Sequence, residues 1–274
     1  MPFPNLERFV ATLPSDGMYS LWAGPVTGPC WVASRENDRH YAASTMKLAL
    51  VLAAFRQAEA ARLDLDAPVV VRNRFASASG AGSYSIDESD DSDPQPWRRL
   101  GDSVALRWIA YRALVRSSNL ATNVLLDAVG LEAVAEALES VGARDSVVAR
   151  GIEDSAAREA GLENVVTASD LGCTLQALVA GTAASRQSCD EIVSILAAQQ
   201  INDAIPAGLP PGTRAAHKSG WVPGISHDAA IVYPSGAAPF VLVVCTTSEL
   251  DEQAGLDFIA AGARAAWADH EVVA

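Results

Sequence analysis

The sequence predicts an α+β protein in which strands from both ends of the chain form one unit and the middle forms another. Strand patterns lie near both ends, helical patterns fill the middle, and a last helical pattern closes the chain. Half of the 274 residues are hydrophobic and only 19% are charged, which is ample apolar material for a core. We expect a single domain over 1–274, with an α/β lobe from about 1–43 and 203–274 and an all-helical lobe from about 44–202.

Strand patterns flank the helical middle on both sides. Before it, GMYSLWAG and PCWVASRE are joined by PVTG, a Pro/Gly turn. After it come GTRAAHKSGW, HDAAIVYP and APFVLVVCTTS, with the turn PSG between the last two. The closing helical pattern is DEQAGLDFIAAGARAAWADH. Because the strands come from both ends, we expect them to meet in one lobe and the middle to form an insertion.

The middle of the chain carries helical patterns with recognisable ends. The first begins at Ser44, a good N-cap residue. Two others close at Gly130 and Gly142. Another begins at Thr167 with Asp170 three residues on, which resembles a capping box. In order, the patterns are STMKLALVLAAFRQAEAARL, DSVALRWIAYRALVRSS, SNLATNVLLDAVG, LEAVAEALESVG, TASDLGCTLQALVAG and SRQSCDEIVSILAAQQ.

The net charge of the chain is −13. An acidic protein is poorly suited to nucleic-acid phosphates or to an anionic membrane surface, so we expect neither as a partner. The longest apolar run, Leu48–Phe55, is far shorter than a membrane span. The first residues lack the basic and apolar regions of a secretory signal. The sequence as written therefore predicts a cytoplasmic protein, exported only if a leader has been removed.

The cysteines and the acidic segment give no sign of a metal site. Cys30, Cys173, Cys189 and Cys245 form no CxxC pair and have no histidine at metal-ligand spacing, so we expect buried free thiols. Ser77–Trp97 is rich in serine, glycine and acidic residues and predicts a solvated loop. A calcium site is the alternative there, but DESDDSD lacks the glycine that an EF-hand loop needs at its sixth position.

Lys47 is the unusual residue of the first helical pattern, because the residues around it are almost wholly apolar. It lies three residues after Ser44, on the same helical face. Burial lowers the pKa of a lysine toward that of a neutral amine, and such an amine beside a hydroxyl forms a nucleophile–base pair. The alternative is a snorkelling lysine near a helix start, with Ser44 only as the helix cap.

Two further groups of residues favour the catalytic interpretation. Ser117 and Asn119 lie two residues apart at a helix start, where a hydroxyl can relay a proton and an amide can bind a substrate carbonyl. Capping of that helix is the alternative. In HKSGW, strand alternation places Lys218 and Gly220 on one side and Ser219 on the other. A lysine followed by a hydroxyl suits a substrate carboxylate, and glycine permits close approach of another backbone.

STMK, SSN and KSG, in that order, resemble the S-x-x-K, S-D-N and K-T-G motifs of the serine β-lactamases and penicillin-binding proteins. The chain looks most like the class A β-lactamase branch. KSGWVPGISHDAAIVYP and ENVVTASDLGCTLQAL also resemble segments of that family, so the resemblance covers about Asp16 to the last helix. It implies a two-lobed α+β fold: an antiparallel sheet flanked by N- and C-terminal helices, plus an all-helical lobe.

The resemblance implies a role for each matched residue and no metal or organic cofactor. Ser44 would be the acylated nucleophile and Lys47 its proton acceptor or electrostatic partner. Ser117 would pass a proton to the leaving nitrogen, and Asn119 would hold the substrate's side-chain amide. The remaining roles belong to the third motif: Lys218 and Ser219 for the substrate carboxylate, Gly220 within the motif, and the main-chain N–H of Trp221 with that of Ser44 for the oxyanion.

This sequence departs from the family pattern in three places. Ser118 stands where class A enzymes carry aspartate, and Trp221 stands where a smaller residue is usual, so that its indole either narrows the site or folds into the core. The family's omega-loop Glu-x-x-Leu-Asn pattern is missing from VARGIEDSAAREAGLENVV. Glu153 lies at about the right distance after Asn123 to activate the deacylating water. Three other acids compete with it: Asp154, Glu159 and Glu163.

Several functions follow from the resemblance. Hydrolysis of the β-lactam ring through an acyl-serine intermediate is the first prediction, with a small-molecule β-lactam or related amide or ester as the substrate. An esterase or peptidase on the same machinery is the alternative. A non-hydrolysing penicillin-binding or sensor protein is another, because loss of the deacylation base would leave the acyl-enzyme intact.

Overall fold

The computed structural model describes residues 3–273, and the side chains of residues 3–270. The strands are β1 (Gly17–Pro25), β2 (Val32–Ser34), β3 (His40–Tyr41), β4 (Pro68–Val70), β5 (Phe75–Ala76), β6 (Ser83–Tyr84), β7 (Ser103–Ala105), β8 (Val165–Val166), β9 (Arg214–Val222), β10 (Ile225–Tyr233) and β11 (Phe240–Ser248). The helices are α1 (Pro4–Ala11), α2 (Met46–Glu59), α3 (Pro94–Trp97), α4 (Leu106–Val115), α5 (Asn119–Val129), α6 (Leu131–Ser140), α7 (Ser155–Glu159), α8 (Ala168–Ala180), α9 (Arg186–Ala197) and α10 (Glu252–Val273).

Strands from both ends of the chain form one antiparallel sheet in the order β2-β1-β11-β10-β9. The first and last long strands, β1 and β11, are neighbours, with Leu21 opposite Val244. β9 is an edge strand, so only one of its edges is paired, and that pairing is with β10. The α+β fold predicted from the sequence is confirmed.

The two faces of the sheet belong to different cores because successive strand residues point to opposite faces. On β11, Leu242 and Val244 pack with α1 and α10, whereas Val243 and Cys245 pack toward the helical part of the chain. α2 lies at the centre of that second core, and its first ten residues are all buried. This explains why its sequence is apolar on every side.

The helical part also contains short strand pairs that the sequence did not predict. β4 pairs with β7, and β5 pairs with β6. Ser103–Ala105 was predicted as helix but forms strand β7, because its main chain bonds to Pro68–Val70 before α4 begins at Leu106. The strand predicted in PCWVASRE is only Val32–Ser34 long.

Helix ends agree with the sequence in most places. α5 ends at Val129 with Gly130 as its C-cap, and Thr167 caps α8 by accepting a hydrogen bond from the main-chain N–H of Asp170. The prediction for Ser44 is wrong, because a 3₁₀ turn over Ala43–Thr45 precedes α2 and no side chain caps it.

The cysteine prediction is partly wrong. All four thiols are free, as expected, but only Cys189 and Cys245 are buried, whereas Cys30 is exposed and Cys173 is half-buried. No helix among the described residues is long and apolar enough to cross a membrane.

Candidate active site

A cleft of about 1020 Å³ opens where β9 approaches the start of α2. Of the residues that the resemblance assigned a role, Ser44, Ser117, Asn119 and Trp221 line it, and so do the candidate acids Glu153 and Asp154. The others of that set, Lys47, Lys218, Ser219 and Gly220, are buried behind its surface. The structure therefore brings the three motifs, which are far apart in the chain, to one place.

The turn that carries Ser44 packs directly against β9. A side chain on Gly220 would place its Cβ 2.7 Å from the main-chain nitrogen of Ser44 and 2.9 Å from that of Thr45, so only glycine fits between turn and strand. Ala43 adopts a left-handed φ of 44° just before the nucleophile position. Within residues 3–270 no hydrogen bond ties down the Ser44 hydroxyl, which is half-buried at the cleft wall.

Lys47 is fully buried one helical turn beyond Ser44. Its Nζ donates to the Ser117 carbonyl oxygen (2.7 Å) and to Asn119 Oδ1 (2.9 Å), and it lies 3.3 Å from Ser117 Oγ. Burial first, and then the charge of Lys218, hold the pKa of Lys47 well below its usual range, while Asp91 and Glu153 act in the opposite direction. A snorkelling lysine would reach water, and Lys47 does not.

Lys218 reaches the same hydroxyl from the strand. Its Nζ donates to Ser117 Oγ (3.1 Å) and to the carbonyl oxygen of Ser219 (2.5 Å). Burial lowers the pKa of Lys218 to about 7, and the charge of Asp228 opposes that shift. Two buried amines thus share one hydroxyl oxygen, and their mutual repulsion favours a neutral Lys47.

Ser219 and Trp221 complete the strand side of the site, which we define as Lys218–Trp221. Ser219 Oγ is buried and has no hydrogen-bond partner among the described side chains, which is costly for a polar group unless a ligand supplies one. Trp221 is half-buried and lines the cleft. The sequence left open whether its indole narrows the site or folds into the core, and the structure places it in the cleft wall.

Ser118, the departure in the second motif, is the N-cap of α5 and accepts a hydrogen bond from the main-chain N–H of Ala121. Ser117, just before it, has a left-handed φ of 56° that directs its hydroxyl toward the two lysines. Asn119 binds in both directions: its Oδ1 accepts from Lys47 and its Nδ2 donates to the carbonyl oxygen of Asp90. The capping alternative therefore applies to Ser118 and not to its two neighbours.

The loop predicted to be solvated forms the opposite side of the cleft. Asp87, Asp90 and Ser92 line it, although the predicted exposure holds for many of its side chains. The buried carboxylate of Asp93 accepts two hydrogen bonds from Arg112, at 2.6 and 2.5 Å, which fixes the loop to α4. We define Ser85, Asp87 and Asp90–Asp93 as the loop side of the site.

A sequence model of the β-lactamase enzyme family matches residues 6–269, nearly the whole chain. This chain is a member of the β-lactamase enzyme family. It resembles a β-lactamase of Streptomyces lavendulae, with 28% identity over 226 residues, which are 80% of this chain and 70% of that protein. The family membership makes it a β-lactamase-like hydrolase.

Solved structures support the same assignment. The β-lactamase from Sphaerobacter thermophilus superimposes with a TM-score of 0.83 at 27% identity and covers 98% of this chain and 97% of its own. The structure of PBP-A gives a TM-score of 0.80 at 18% identity, covering 98% of this chain and 96% of that one, which shows a shared fold alone. The predicted resemblance to this family is confirmed.

In this β-lactamase family member, the four candidate acids for deacylation are placed differently. Glu159 is exposed on α7, and Glu163 pairs with Arg150 and Arg158. Asp154 lines the cleft, but its oxygens already accept hydrogen bonds from Ser77 Oγ and from the main-chain N–H groups of Ala78 and Ala157.

Glu153 is the remaining acid, and it lines the cleft with one oxygen uncommitted. Its Oε2 accepts from the main-chain N–H of Asp87 (3.1 Å), while Oε1 is buried with no partner among the described residues. Burial, reinforced by the charges of Asp90 and Asp91, raises the pKa of Glu153, and the hydrogen bond from Asp87 opposes the shift.

Asn123 fixes the main chain just before Glu153. Its Oδ1 accepts from the N–H of Ile152 (2.8 Å) and its Nδ2 donates to the Ile152 carbonyl oxygen (2.9 Å). A Cβ at Gly151 would lie 2.0 Å from the Tyr84 hydroxyl, so the segment is held from two sides. Sequence reasoning missed Tyr84, because a tyrosine in a polar loop carries no distinguishing signal.

Proposed function

We propose that this protein hydrolyses β-lactams through an acyl-enzyme formed on Ser44. The observation that carries the proposal is the shared contact of Lys47 and Lys218 with Ser117 Oγ, beside a serine hydroxyl that is free in the cleft. Burial holds the pKa of Lys47 well below its usual range, which favours the neutral amine that can act as a base. Family membership and the matched fold support the same reaction class.

Acylation begins when Ser44 Oγ attacks the lactam carbonyl carbon and its proton passes to the neutral amine of Lys47. The developing oxyanion is stabilised by main-chain N–H groups, for which we propose those of Ser44 and Trp221, where β9 meets the turn. The lactam C–N bond then breaks, and the leaving nitrogen receives a proton through Ser117 Oγ, which contacts both amines.

The strand side and Asn119 bind the substrate. The charge of Lys218 attracts the substrate carboxylate, and Ser219 Oγ gains the hydrogen-bond partner that it lacks in the free protein. Asn119 holds the substrate's side-chain amide by exchanging its contact with the Asp90 carbonyl oxygen. Gly220 contributes by its lack of a side chain, because it lets β9 approach the nucleophile turn.

Deacylation needs a base for the attacking water, and we assign that role to Glu153. Its buried Oε1 lacks a partner, and its raised pKa brings the carboxylate closer to the range of an efficient base at neutral pH. The water attacks the ester carbon and its proton passes to Glu153. That proton is returned to Ser44 Oγ as the C–O bond to Ser44 breaks, which releases the product acid and restores the Glu153 carboxylate. Metal ions have no place in this scheme.

A long-lived acyl-enzyme is the second candidate, as in a penicillin-binding protein, a sensor or an esterase acting on other substrates. The observation that favours it is the placement of Glu153: Asn123 pins the apolar Ile152, and Glu153 Oε2 is engaged by the loop. Both candidates share the acylation chemistry and differ only in the fate of the ester.

Steady-state hydrolysis of benzylpenicillin separates these candidates. We expect turnover in the wild type, none in Ser44→Ala, and a loss of about 10²- to 10⁴-fold in Glu153→Gln, on the scale of general-base effects. Glu159→Gln is the matched control, since it removes an exposed acid nearby and leaves the rate unchanged. Equal rates in Glu153→Gln and wild type would contradict the assigned base, and faster turnover of p-nitrophenyl esters than of penicillin would favour the esterase.

A further inference from the structure

Asp91 differs from the other acids of the loop side because its carboxylate is bonded to the start of α5. Its Oδ2 accepts hydrogen bonds from Leu120 N (2.8 Å), Trp97 Nε1 (2.9 Å) and Ser118 Oγ (3.0 Å). Its Oδ1 accepts one from the main-chain N–H of Asp93 (3.0 Å). A carboxylate that accepts this many hydrogen bonds holds each donor in a fixed place.

The donors are the residues that surround the proposed proton relay. Ser118 and Leu120 alternate with Ser117 and Asn119 at the start of α5, so fixing the first pair orients the second. Ser117 keeps a left-handed backbone, a strained conformation that persists only where neighbouring contacts enforce it. Asp91 supplies such a contact to Ser118, the residue that follows Ser117.

Neighbours of Asp91 in the loop reinforce the same connection. Ser92 Oγ donates to the carbonyl oxygen of Arg116 (2.6 Å), and the Arg116 guanidinium donates back to the carbonyl oxygen of Ser92 (3.1 Å). Asn119 Nδ2 donates to the carbonyl oxygen of Asp90. The short segment Asp90–Ser92 is thus bonded to residues on both sides of Ser117.

Asp91 also acts on Lys47 through its charge. Burial and the charge of Lys218 lower the pKa of Lys47, and the negative charges of Asp91 and Glu153 oppose them. Removing the charge of Asp91 would therefore lower the pKa of Lys47 further. A purely mechanical support of α5 would have no such effect.

We propose that Asp91 is a positioning residue of the active site, which fixes the Ser117–Asn119 turn from the loop side. The chain carries Ser118 at the middle of its second motif, where the related pattern has aspartate, and Ser118 Oγ donates to Asp91 Oδ2. A carboxylate is thus supplied to this turn from a different segment of the chain. The kinetic tests of this inference rest on the proposed function, whereas its hydrogen-exchange test does not.

Exchanging the side chains of residues 91 and 118 tests the proposal. Asp91→Asn removes the charge and replaces an acceptor with a donor facing Leu120 and Trp97, so we expect acylation by benzylpenicillin to slow about 10- to 100-fold. Ser118→Asp alone also slows it, because two carboxylates would meet where a 3.0 Å hydrogen bond now lies. The exchange variant Asp91→Ser/Ser118→Asp recovers to within about threefold of wild type, since aspartate at 118 still caps α5.

The control in the same loop is Glu88→Gln, an exposed acid with the same change in charge, for which we expect wild-type rates. Failure of the exchange variant to recover beyond the slower single variant, at unchanged Tm, would overturn the proposal. So would a loss in Glu88→Gln equal to that in Asp91→Asn.

The pH dependence of acylation supplies a readout that a structural role would not move. Acylation falls as pH drops through the pKa of Lys47, because a protonated amine cannot accept the proton of Ser44. Since the charge of Asp91 raises that pKa, Asp91→Asn shifts the acid limb of the rate profile to lower pH, and the exchange variant shifts it back. An acid limb that stays in place in Asp91→Asn contradicts the electrostatic action of Asp91 on Lys47.

Hydrogen exchange decides the positioning part without any activity. The Leu120 amide donates to Asp91 Oδ2, so its exchange should accelerate about tenfold or more in Asp91→Asn and return toward the wild-type rate in the exchange variant. If the wild type forms no acyl-enzyme, the proposed function fails while this result still stands. Unchanged exchange at Leu120 in Asp91→Asn would overturn the positioning role whatever the activity.

Discussion

The strand side and the loop side of the cleft reach Ser117 by different means. On the strand side, Lys218 and Gly220 lie on one face of a regular strand, and alternation along β9 brings both to the site. On the loop side, irregular backbone is held by carboxylates, with Asp93 bonded to Arg112 and Asp91 to the start of α5. The strand side thus holds its substrate-binding residues on a regular strand, whereas the loop side supplies support through irregular backbone.

The greatest expected effect on the rate of acylation is at Lys47, which lies on the central helix α2. Lys47→Ala should slow acylation by about 10²- to 10⁴-fold, because the proton of Ser44 loses its acceptor. Stopped-flow measurement with a chromogenic cephalosporin provides the rate. Lys47→Met keeps most of the volume, so equal losses in both variants assign the effect to the amine, and a collapse of Tm in both would instead assign Lys47 a structural role.

The second prediction compares a buried with an exposed ion pair. Asp93 is fully buried and Arg112 is 13% exposed, so Asp93→Asn should lower the free energy of unfolding by about 3 kcal/mol. The matched control is Asp66→Asn, which breaks the exposed pair with Arg107 and should lower the free energy of unfolding far less, because solvent screens that pair. Urea denaturation measures both, and equal losses would mean that Asp93 does not anchor the loop side.

The third and smallest effect is the pH dependence of substrate binding on the strand side. Burial lowers the pKa of Lys218 to about 7, so the free protein loses this positive charge as pH rises through that value. KM for benzylpenicillin should therefore rise about tenfold between pH 6 and pH 8. Lys218→Arg keeps its charge over this range and should flatten the profile. A profile as steep in Lys218→Arg as in wild type would place the titrating group elsewhere.

The contrast between the strand side and the loop side also explains which parts of the site could be predicted from the sequence. Helical and strand periodicity located α2, α5 and β9, and the three motifs on them picked out residues that the structure brings into contact. Periodicity places a side chain on a face, and a lysine in an apolar stretch is conspicuous because burying an amine is costly. These signals lie within short stretches of the sequence, so they can be recognised without a structure.

The loop side could not be predicted because its contacts join distant segments. Nothing in DESDDSD distinguishes Asp91 from its neighbours, and only the fold shows that its carboxylate meets Ser118 and Leu120. Ser44 failed as a predicted helix cap for a similar reason, since the turn that carries it is set by packing against Gly220. Backbone packing of this kind leaves no pattern along the chain.

Intact mass followed over time after mixing with benzylpenicillin tests the central claim most directly. The account predicts an adduct of the intact drug mass that maps to the peptide containing Ser44, clears as hydrolysed drug accumulates, and persists in Glu153→Gln. Ser44→Ala should show no adduct. An adduct on another residue, or one that forms equally in Ser44→Ala, would contradict the assignment of Ser44 as the nucleophile.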